Sequence, residues 1–331
     1  MSELRLNIIS REWVIISSER AKRPQDFRKT VKEEAAPAFD KDCPFCPGNE
    51  SGFSDETFRI GDKKSWKARA VYNKFPALAP DKDLSHALEG MHNHISGYGD
   101  HEVIVEHARH NMLIPLMTDE DVCNIIRIYK ARYDSLKKMK GIETITIFKN
   151  QGLGAGASKR HPHSQLVAAP IVPPQMRNRL DSAMKYFDVT GKCITCDILA
   201  DELKSKTRIV RDTEKFTLLV PYAAAAPFIM WIVPKRHLPS FGHIDEAEVT
   251  GLGMILKDAL SRLYYGLDNP DYNFTIRSIP VNESGKDYFH WYLTIVPRIS
   301  QPAGFELGSG IFINASIPEE CAEFLRNGKA R

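Results

Sequence analysis

The sequence predicts an α+β protein built from two fused repeats, each an antiparallel sheet with a long helix. Three observations carry this. The pattern C-x-x-C occurs twice, as Cys43–Cys46 and Cys193–Cys196. A β-rich run downstream of each pair ends on a histidine, "EVIVEHARH" at His110 and "IMWIVPKRH" at His237. A further histidine follows after almost the same interval, 51 residues to His161 and 53 to His290. A duplicated unit accounts for all three.

The elements match in order. Residues 68–80, "ARAVYNKFPALAP", and 216–228, "FTLLVPYAAAAPF", each read as an apolar strand followed by a turn. Eight residues beyond the first histidine of each half stands a helix N-cap, Thr118 or Asp245. Asp245 with Glu248 fits a capping box, and Thr118 has Asp121 in the third position. Each cap opens a helix with one apolar stripe, Val122, Ile125, Ile126 and Tyr129 in the first and Val249, Leu252, Ile255 and Leu256 in the second. The strands "ETITIFKN" and "YNFTIRS" follow, and each half closes on a histidine strand, "HPHSQLVAAPIVPP" or "FHWYLTIVPRISQP". The boundary is placed near residues 175–190, dividing the chain into 1–175 and 176–331. The extra length of the first half lies mostly in 81–101, read as a loop, and the polar segment 28–42 is read as mobile.

Composition narrows the function classes. The chain has 331 residues with 43% hydrophobic and 26% charged residues, which suits a soluble globular protein with a sizeable core. The formal net charge of +3 does not suggest a nucleic-acid binder, though it permits one basic pocket for a phosphorylated ligand. No apolar stretch has the length of a membrane span, and the N-terminal residues do not begin a signal peptide, so no membrane partner is expected and the cytoplasm is the expected compartment. Six cysteines do not make a disulfide scaffold in so long a chain; Cys123 and Cys321 read as small buried side chains.

Each half offers two cysteines and two histidines: Cys43, Cys46, His110 and His161, then Cys193, Cys196, His237 and His290. Thiolate and imidazole in that ratio suit tetrahedral zinc, and four protein ligands leave no open position for substrate, so both sites are expected to be structural. A thioredoxin-like role is disfavoured because neither pair is expected at the start of a helix that follows a strand. His86, His92, His94, His101, His107 and His243 have no counterpart in the other half and are expected at the surface, with His107 a possible substitute for His110.

The halves differ two residues past the last metal histidine. His163 has Tyr292 as its equivalent, and Gln165 has Thr294. A histidine that the metal does not need, beside a metal-anchored strand, is placed to act as nucleophile or base. The preceding "KNQGLGAGASKRHPH" brings three glycines together with Ser158, Lys159 and Arg160, a composition that lets backbone N–H groups approach an anion. It lacks the ending of a Walker loop.

These motifs together, with "SSERAKRPQDF", "CPFCPGNE", "NKFPAL" and "GFELGSGIFIN", resemble the galactose-1-phosphate uridylyltransferase family of the histidine-triad superfamily, over nearly the whole chain. The resemblance implies two histidine-triad-like repeats, a homodimer and transfer of a nucleoside monophosphate through a histidine intermediate. By position, His163 resembles the nucleophile and Gln165 the residue that hydrogen-bonds the phosphoryl oxygen. Asn150 and Ser158 match phosphate-loop contacts, Arg20 and Arg23 basic residues near the nucleotide phosphates, Asn73 a nucleoside contact and Glu306 a hexose contact. The expected reaction is exchange between a sugar nucleotide and a sugar 1-phosphate, UDP-glucose with galactose 1-phosphate. The second C-x-x-C resembles instead the plant-type ADP-glucose phosphorylases, which use phosphate as acceptor, while the proline in "HPHSQ" is the uridylyltransferase spelling. A non-enzyme alternative, a zinc-stabilised binding scaffold, leaves His163 without a role.

Overall fold

The computed structural model describes residues 2–17, 24–27, 36–50, 55–283 and 285–328. The chain opens with a short hairpin, β1 (Glu3–Leu6) and β2 (Trp13–Ile16). The first half then supplies β3 (Glu56–Asp62), β4 (Ser65–Tyr72), β5 (His86–Glu89), β6 (His92–Ile95), β7 (Asp100–Val105), helix α1 (Asp119–Leu136), β8 (Thr144–Gln151) and β9 (His163–Ala169). Two helices follow, α2 (Pro174–Thr190) and α3 (Ile194–Ser205). The second half adds β10 (Ile209–Asp212), β11 (Phe216–Leu219), β12 (Met230–Pro234), α4 (Glu246–Gly266), β13 (Tyr272–Arg277) and β14 (Tyr292–Pro297). The chain ends with α5 (Gly304–Ser309), β15 (Phe312–Asn314) and α6 (Pro318–Asn327).

Ten strands form one sheet in the order β10-β11-β12-β14-β13-β8-β9-β7-β4-β3. Read from either edge, each half contributes five strands in matching sequence, and the halves meet where β13 pairs antiparallel with β8, Asn273 opposite Asn150 and Thr275 opposite Phe148. The repeats are therefore fused through their sheets. Among the described residues the segment 81–101 is not a plain loop: β5 and β6 pair as an exposed hairpin. Outside the repeats, β15 pairs parallel with β2 to complete a three-stranded sheet.

Helices α1 and α4 cover one face. Both capping boxes form, with the Asp121 N–H donating to Thr118 Oγ1 at 3.2 Å and the Glu248 N–H to Asp245 Oδ1 at 2.8 Å. The apolar stripes behave as their spacing requires: Val122, Ile125, Ile126, Tyr129, Leu252 and Leu256 are fully buried. Each such side chain contributes about 1.5–3 kcal/mol by leaving water. The two helices touch at Gly253, where an added Cβ would stand 3.0 Å from Cys123 Sγ and 3.2 Å from its Cα, so a larger residue would push them apart. Cys123 and Cys321 are buried free thiols. Among the described residues no helix is long and apolar enough to cross a membrane.

Candidate active site and metal centres

The other face of the sheet carries the candidate residues of β9. Along β9, Ser164, Leu166 and Ala168 are buried on the helix side, so His163, Gln165 and Val167 point the opposite way. Two core-side groups hold the strand: Tyr129 donates to Ser164 Oγ at 2.6 Å, and Lys149 Nζ donates to the His163 carbonyl at 3.1 Å. Lys149 is itself fully buried in an ion pair with Glu106 at 2.7 Å.

The strand begins at His163, so His161 lies on the approach to β9 and not within it. His161 Nε2 is 2.7 Å from the His107 carbonyl, which can only accept. Nε2 therefore carries the proton, and Nδ1 turns its lone pair toward Cys43 Sγ at 3.7 Å and Cys46 Sγ at 3.6 Å. His110 Nδ1 lies 3.5 Å from Cys46 Sγ. Tetrahedral zinc, with Zn–S about 2.3 Å and Zn–N about 2.05 Å, sets sulfur and nitrogen about 3.6 Å apart. The donor set and its spacing fit that ion, and the carbonyl behind His161 is the usual orienting partner of a metal-bound imidazole. All four residues are buried, and burial pushes the Cys43 thiol up to about 11 and His161 down to about 4. His107 supplies a carbonyl to this centre, and its ring is outside the ligand group.

The second cage gathers Cys193, Cys196, His237 and His290, whose ligand atoms lie within 4.8 Å of one another, as do those of the first. Nδ1 of His237 and of His290 each lie 3.2 Å from Cys196 Sγ. This C-x-x-C starts a helix: Cys193 is the N-cap of α3 and Cys196 sits in its first turn. The preceding element is helix α2, so a thioredoxin-like strand-to-helix turn is still absent here. A hydrogen bond from Cys196 draws the Cys193 thiol below its ordinary range, which favours the thiolate that a metal requires. Both quartets can hold a metal ion.

Two residues past His161, the imidazole of His163 is 6% exposed. Its Nδ1 lies 2.9 Å from the His161 carbonyl, so Nδ1 carries the proton and Nε2 presents a free lone pair. Burial first, and then the Lys149 charge, push its pKa down to about 4, leaving it neutral and nucleophilic at pH 7. The Phe45 ring centroid lies 5.4 Å from that of His163 and 5.9 Å from that of His161, linking the C-x-x-C loop to both histidines.

Gln165 is held by a residue that was expected at the surface. His101 is buried, and its Nδ1 accepts the Ala77 N–H at 3.1 Å. Its Nε2 must then carry the proton, which it donates to Gln165 Oε1 at 2.8 Å. That bond fixes which way the Gln165 amide points and leaves its NH2 free to donate. Asn73 stands against the same imidazole, Nδ2 to Nε2 3.2 Å, so Asn73, His101 and Gln165 form one cluster. The signal in the sequence was its place in "GDHEVIV", two positions before Val103, which lies opposite Gln165 in the sheet. His86, His92, His94 and His243 are exposed, as expected.

The glycine-rich loop is arranged differently from an open anion cradle. Gly154 donates its N–H to Asp271 Oδ2 at 2.6 Å, and a Cβ on Gly152 would meet Asp271 Oδ1 at 2.1 Å. Gly152 also has φ +85°, a conformation that suits glycine alone. A carboxylate of the second half thus clasps the loop. Asn273 reinforces it by donating to Asn150 Oδ1 at 2.8 Å and to the Ala155 carbonyl at 2.9 Å. Asn150 keeps its own NH2 available, and Ser158 is exposed. Arg20 and Arg23 lie outside the described residues. Glu306 caps α5 through the Ala303 N–H at 2.9 Å and lines a cavity of the second half that none of His163, Gln165, Asn73, Asn150 and Ser158 borders.

Family models for the N-terminal and C-terminal domains of galactose-1-phosphate uridyl transferase match residues 1–173 and 179–298. The chain belongs to the galactose-1-phosphate uridyl transferase family. It is 38% identical to an ADP-glucose phosphorylase of Arabidopsis thaliana, over 98% of this chain and 92% of that one. It is 28% identical to a galactose-1-phosphate uridylyltransferase of Thermotoga maritima, over 98% of each. Among solved structures, the Arabidopsis ADP-glucose phosphorylase with bound ADP-glucose superposes with a TM-score of 0.84 at 35% identity, covering 99% of each chain. A uridylyltransferase structure at 23% identity shares the fold with a TM-score of 0.76, covering 99% of this chain and 98% of that one.

Proposed function

We propose that this member of the family transfers a nucleoside monophosphate from a sugar nucleotide to a phosphate acceptor, with His163 as the nucleophile. The observation that carries the reading is the tautomer of His163, which leaves an Nε2 lone pair beside an amide already oriented by His101. Nε2 attacks the α-phosphorus, a P–N bond forms, and the bond from that phosphorus to the bridging oxygen breaks. The leaving sugar 1-phosphate takes the electron pair; its second pKa is about 6, so it departs near pH 7 without a general acid. The acceptor phosphate then attacks the same phosphorus and frees the imidazole. The NH2 of Gln165 donates to a nonbridging oxygen throughout, and the His161 carbonyl steadies Nδ1–H as charge builds on the ring.

For the donor, we favour ADP-glucose with inorganic phosphate as acceptor. The support is the greater likeness to the Arabidopsis ADP-glucose phosphorylase, 38% against 28% for the T. maritima uridylyltransferase. The second reading, UDP-glucose with galactose 1-phosphate, is supported by the proline in "HPHSQ". Incubation with ADP-glucose plus phosphate and, separately, UDP-glucose plus galactose 1-phosphate separates them by product. Faster turnover of the UDP-glucose pair would reverse the order. Failure of both, with no label retained on protein, would end the reading.

The same proposal assigns zinc to both quartets as a structural ion and divides the chain into a reactive repeat, 1–175, and a degenerate one, 176–331. Zinc in the first cage would fix the chain leading into β9 and so aim His163. Contacts of Asn73 with the nucleoside, Asn150 and Ser158 with the phosphates, and Arg20 and Arg23 with the nucleotide belong to it as well. Glu306 borders a cavity that His163 does not, so a homodimer that brings the two together completes the proposal.

A further inference from the structure

Beneath His163, on the helix side of the sheet, the first half buries a polar cluster. Lys149 Nζ donates to Glu106 Oε2 at 2.7 Å and to the His163 carbonyl at 3.1 Å. Beside this pair Tyr129 donates to Ser164 Oγ at 2.6 Å. All four side chains are buried, and Glu106 Oε1 has no hydrogen-bond partner among the described residues. A buried ion pair with one oxygen left unsatisfied is a costly way to fill a core.

The second half fills the matching positions with hydrocarbon. Leu293 follows Tyr292 as Ser164 follows His163. Phe148 lies opposite Gln165 and Ile276 opposite Leu293, which puts Ile276 where Lys149 stands. Ile104 lies opposite Ser164 and Ile232 opposite Leu293, which puts Pro234 where Glu106 stands. Counted from the two helix caps, Leu256 answers Tyr129. Leu293, Ile276, Pro234 and Leu256 are all buried. One repeat therefore closes its core at this point without a charge, so stability alone does not account for Lys149 and Glu106. What lies above them in the first half is His163. The ladder between β8 and β9 ends at Gln165, two residues short of His163, and His163 is the first residue of its strand. The Lys149 ammonium gives the His163 carbonyl a fixed donor where the pairing with β8 has stopped.

We propose that Lys149 and Glu106 are positioning residues for His163: the ammonium grips its carbonyl and the carboxylate holds the ammonium, so the imidazole keeps its place through attack and release. The inference rests on the reading of His163 as the nucleophile. Phe148 shares the open face with Gln165, so the next residue, Lys149, points to the side of α1 and α4. Its effect therefore passes through the backbone of His163, and binding of the sugar nucleotide is left to other groups.

The test follows the second half in making the core apolar, with Lys149→Met and Glu106→Leu combined in the full chain. Single-turnover labelling with labelled ADP-glucose or UDP-glucose gives a saturating rate and a half-saturating concentration, and a melting curve is taken on the same protein. The melting temperature should equal or exceed the native one, because an apolar pair of similar volume replaces a buried ion pair. The half-saturating concentration should stay near native while the saturating rate falls about 10²-fold, the scale of a misplaced reacting group. Label should still map to His163. A native rate in the folded variant would overturn the inference. So would a lowered melting temperature with rate and half-saturation both impaired, which is the mark of a merely structural pair. Should the double variant fail to fold, Glu106→Gln, which keeps the shape, carries the test by the same split, with a saturating rate about tenfold below native. A native rate there would overturn it too. Absence of label on the native protein would remove the nucleophile reading and this inference with it, an outcome distinct from labelled native protein and an unimpaired variant.

Discussion

The two quartets hold the same four residue types, yet only the first is followed by a histidine and a glutamine along its strand. Beyond His161 come His163 and Gln165; beyond His290 come Tyr292 and Thr294. The first C-x-x-C lies in a loop that packs Phe45 against His163, while the second starts α3 and packs away from any histidine of that kind. Both halves thus share the Cys2His2 quartet and the capped helix, while the open face of the sheet differs between them. On that face one half carries His163, its pKa pushed down to about 4, with the Gln165 amide held by His101. The other carries Tyr292 and Thr294 there.

The comparison breaks most sharply at the nucleophile. His163→Ala should lower nucleotidyl transfer by about 10⁶-fold, the scale seen when a nucleophile is removed outright. Tyr292→Phe should stay within about twofold of native, since nothing assigns its hydroxyl to the chemistry; steady-state assays of the two variants side by side check this. A comparable loss in both would erase the asymmetry.

Metal loss should sharpen it next. Elemental analysis should give two zinc ions per chain, and strong chelators should lower the melting temperature, because assembled ligand sets couple metal binding to folding. Cys46→Ser should lower both melting temperature and activity, for His161 leads directly into His163. Cys193→Ser should lower the melting temperature while the folded fraction still accepts label. Unchanged melting with chelator would remove both centres from the account.

Smaller effects should follow around Gln165. Its replacement by alanine should slow turnover by about 10²–10³-fold, as for a lost oxyanion donor. His101→Ala should slow it by about tenfold by freeing the amide to rotate, with KM little changed. In a double-mutant cycle the two should fall well short of additivity, whereas a purely structural role for His101 would give additive losses.

The least effect belongs to the clasp between the halves. Asp271→Asn keeps the shape but weakens the grip on the Gly154 N–H, and KM for sugar nucleotide should rise about threefold at constant kcat. A fall in kcat alone would mean the clasp acts on chemistry instead.

What could be read in the sequence follows from how local each feature is. Both capping boxes, the apolar stripes and the two Cys2His2 quartets are set by spacings along the chain or by the duplication, and the structure forms the caps, buries the stripes and gathers each quartet. His163 was visible because its twin position holds Tyr292. The pairing of β8 with β13 was not visible, since neither strand announces its partner across more than a hundred residues. His101 was missed for the same reason: its role depends on lying beside a strand 64 residues later in the chain. Asp271 and Asn273 were missed because they serve the other half's loop.

The residue on which the covalent intermediate forms decides whether His163 is the nucleophile. Protein mixed with labelled ADP-glucose or UDP-glucose in the absence of acceptor, then digested and mapped by mass spectrometry under mildly alkaline conditions, should carry one nucleotidyl group per chain. The group should be on the peptide bearing His163, acid-labile, base-stable and discharged by added phosphate or sugar phosphate. An adduct on a peptide of the second half, or rapid turnover with His163 unmodified at every time sampled, would contradict it.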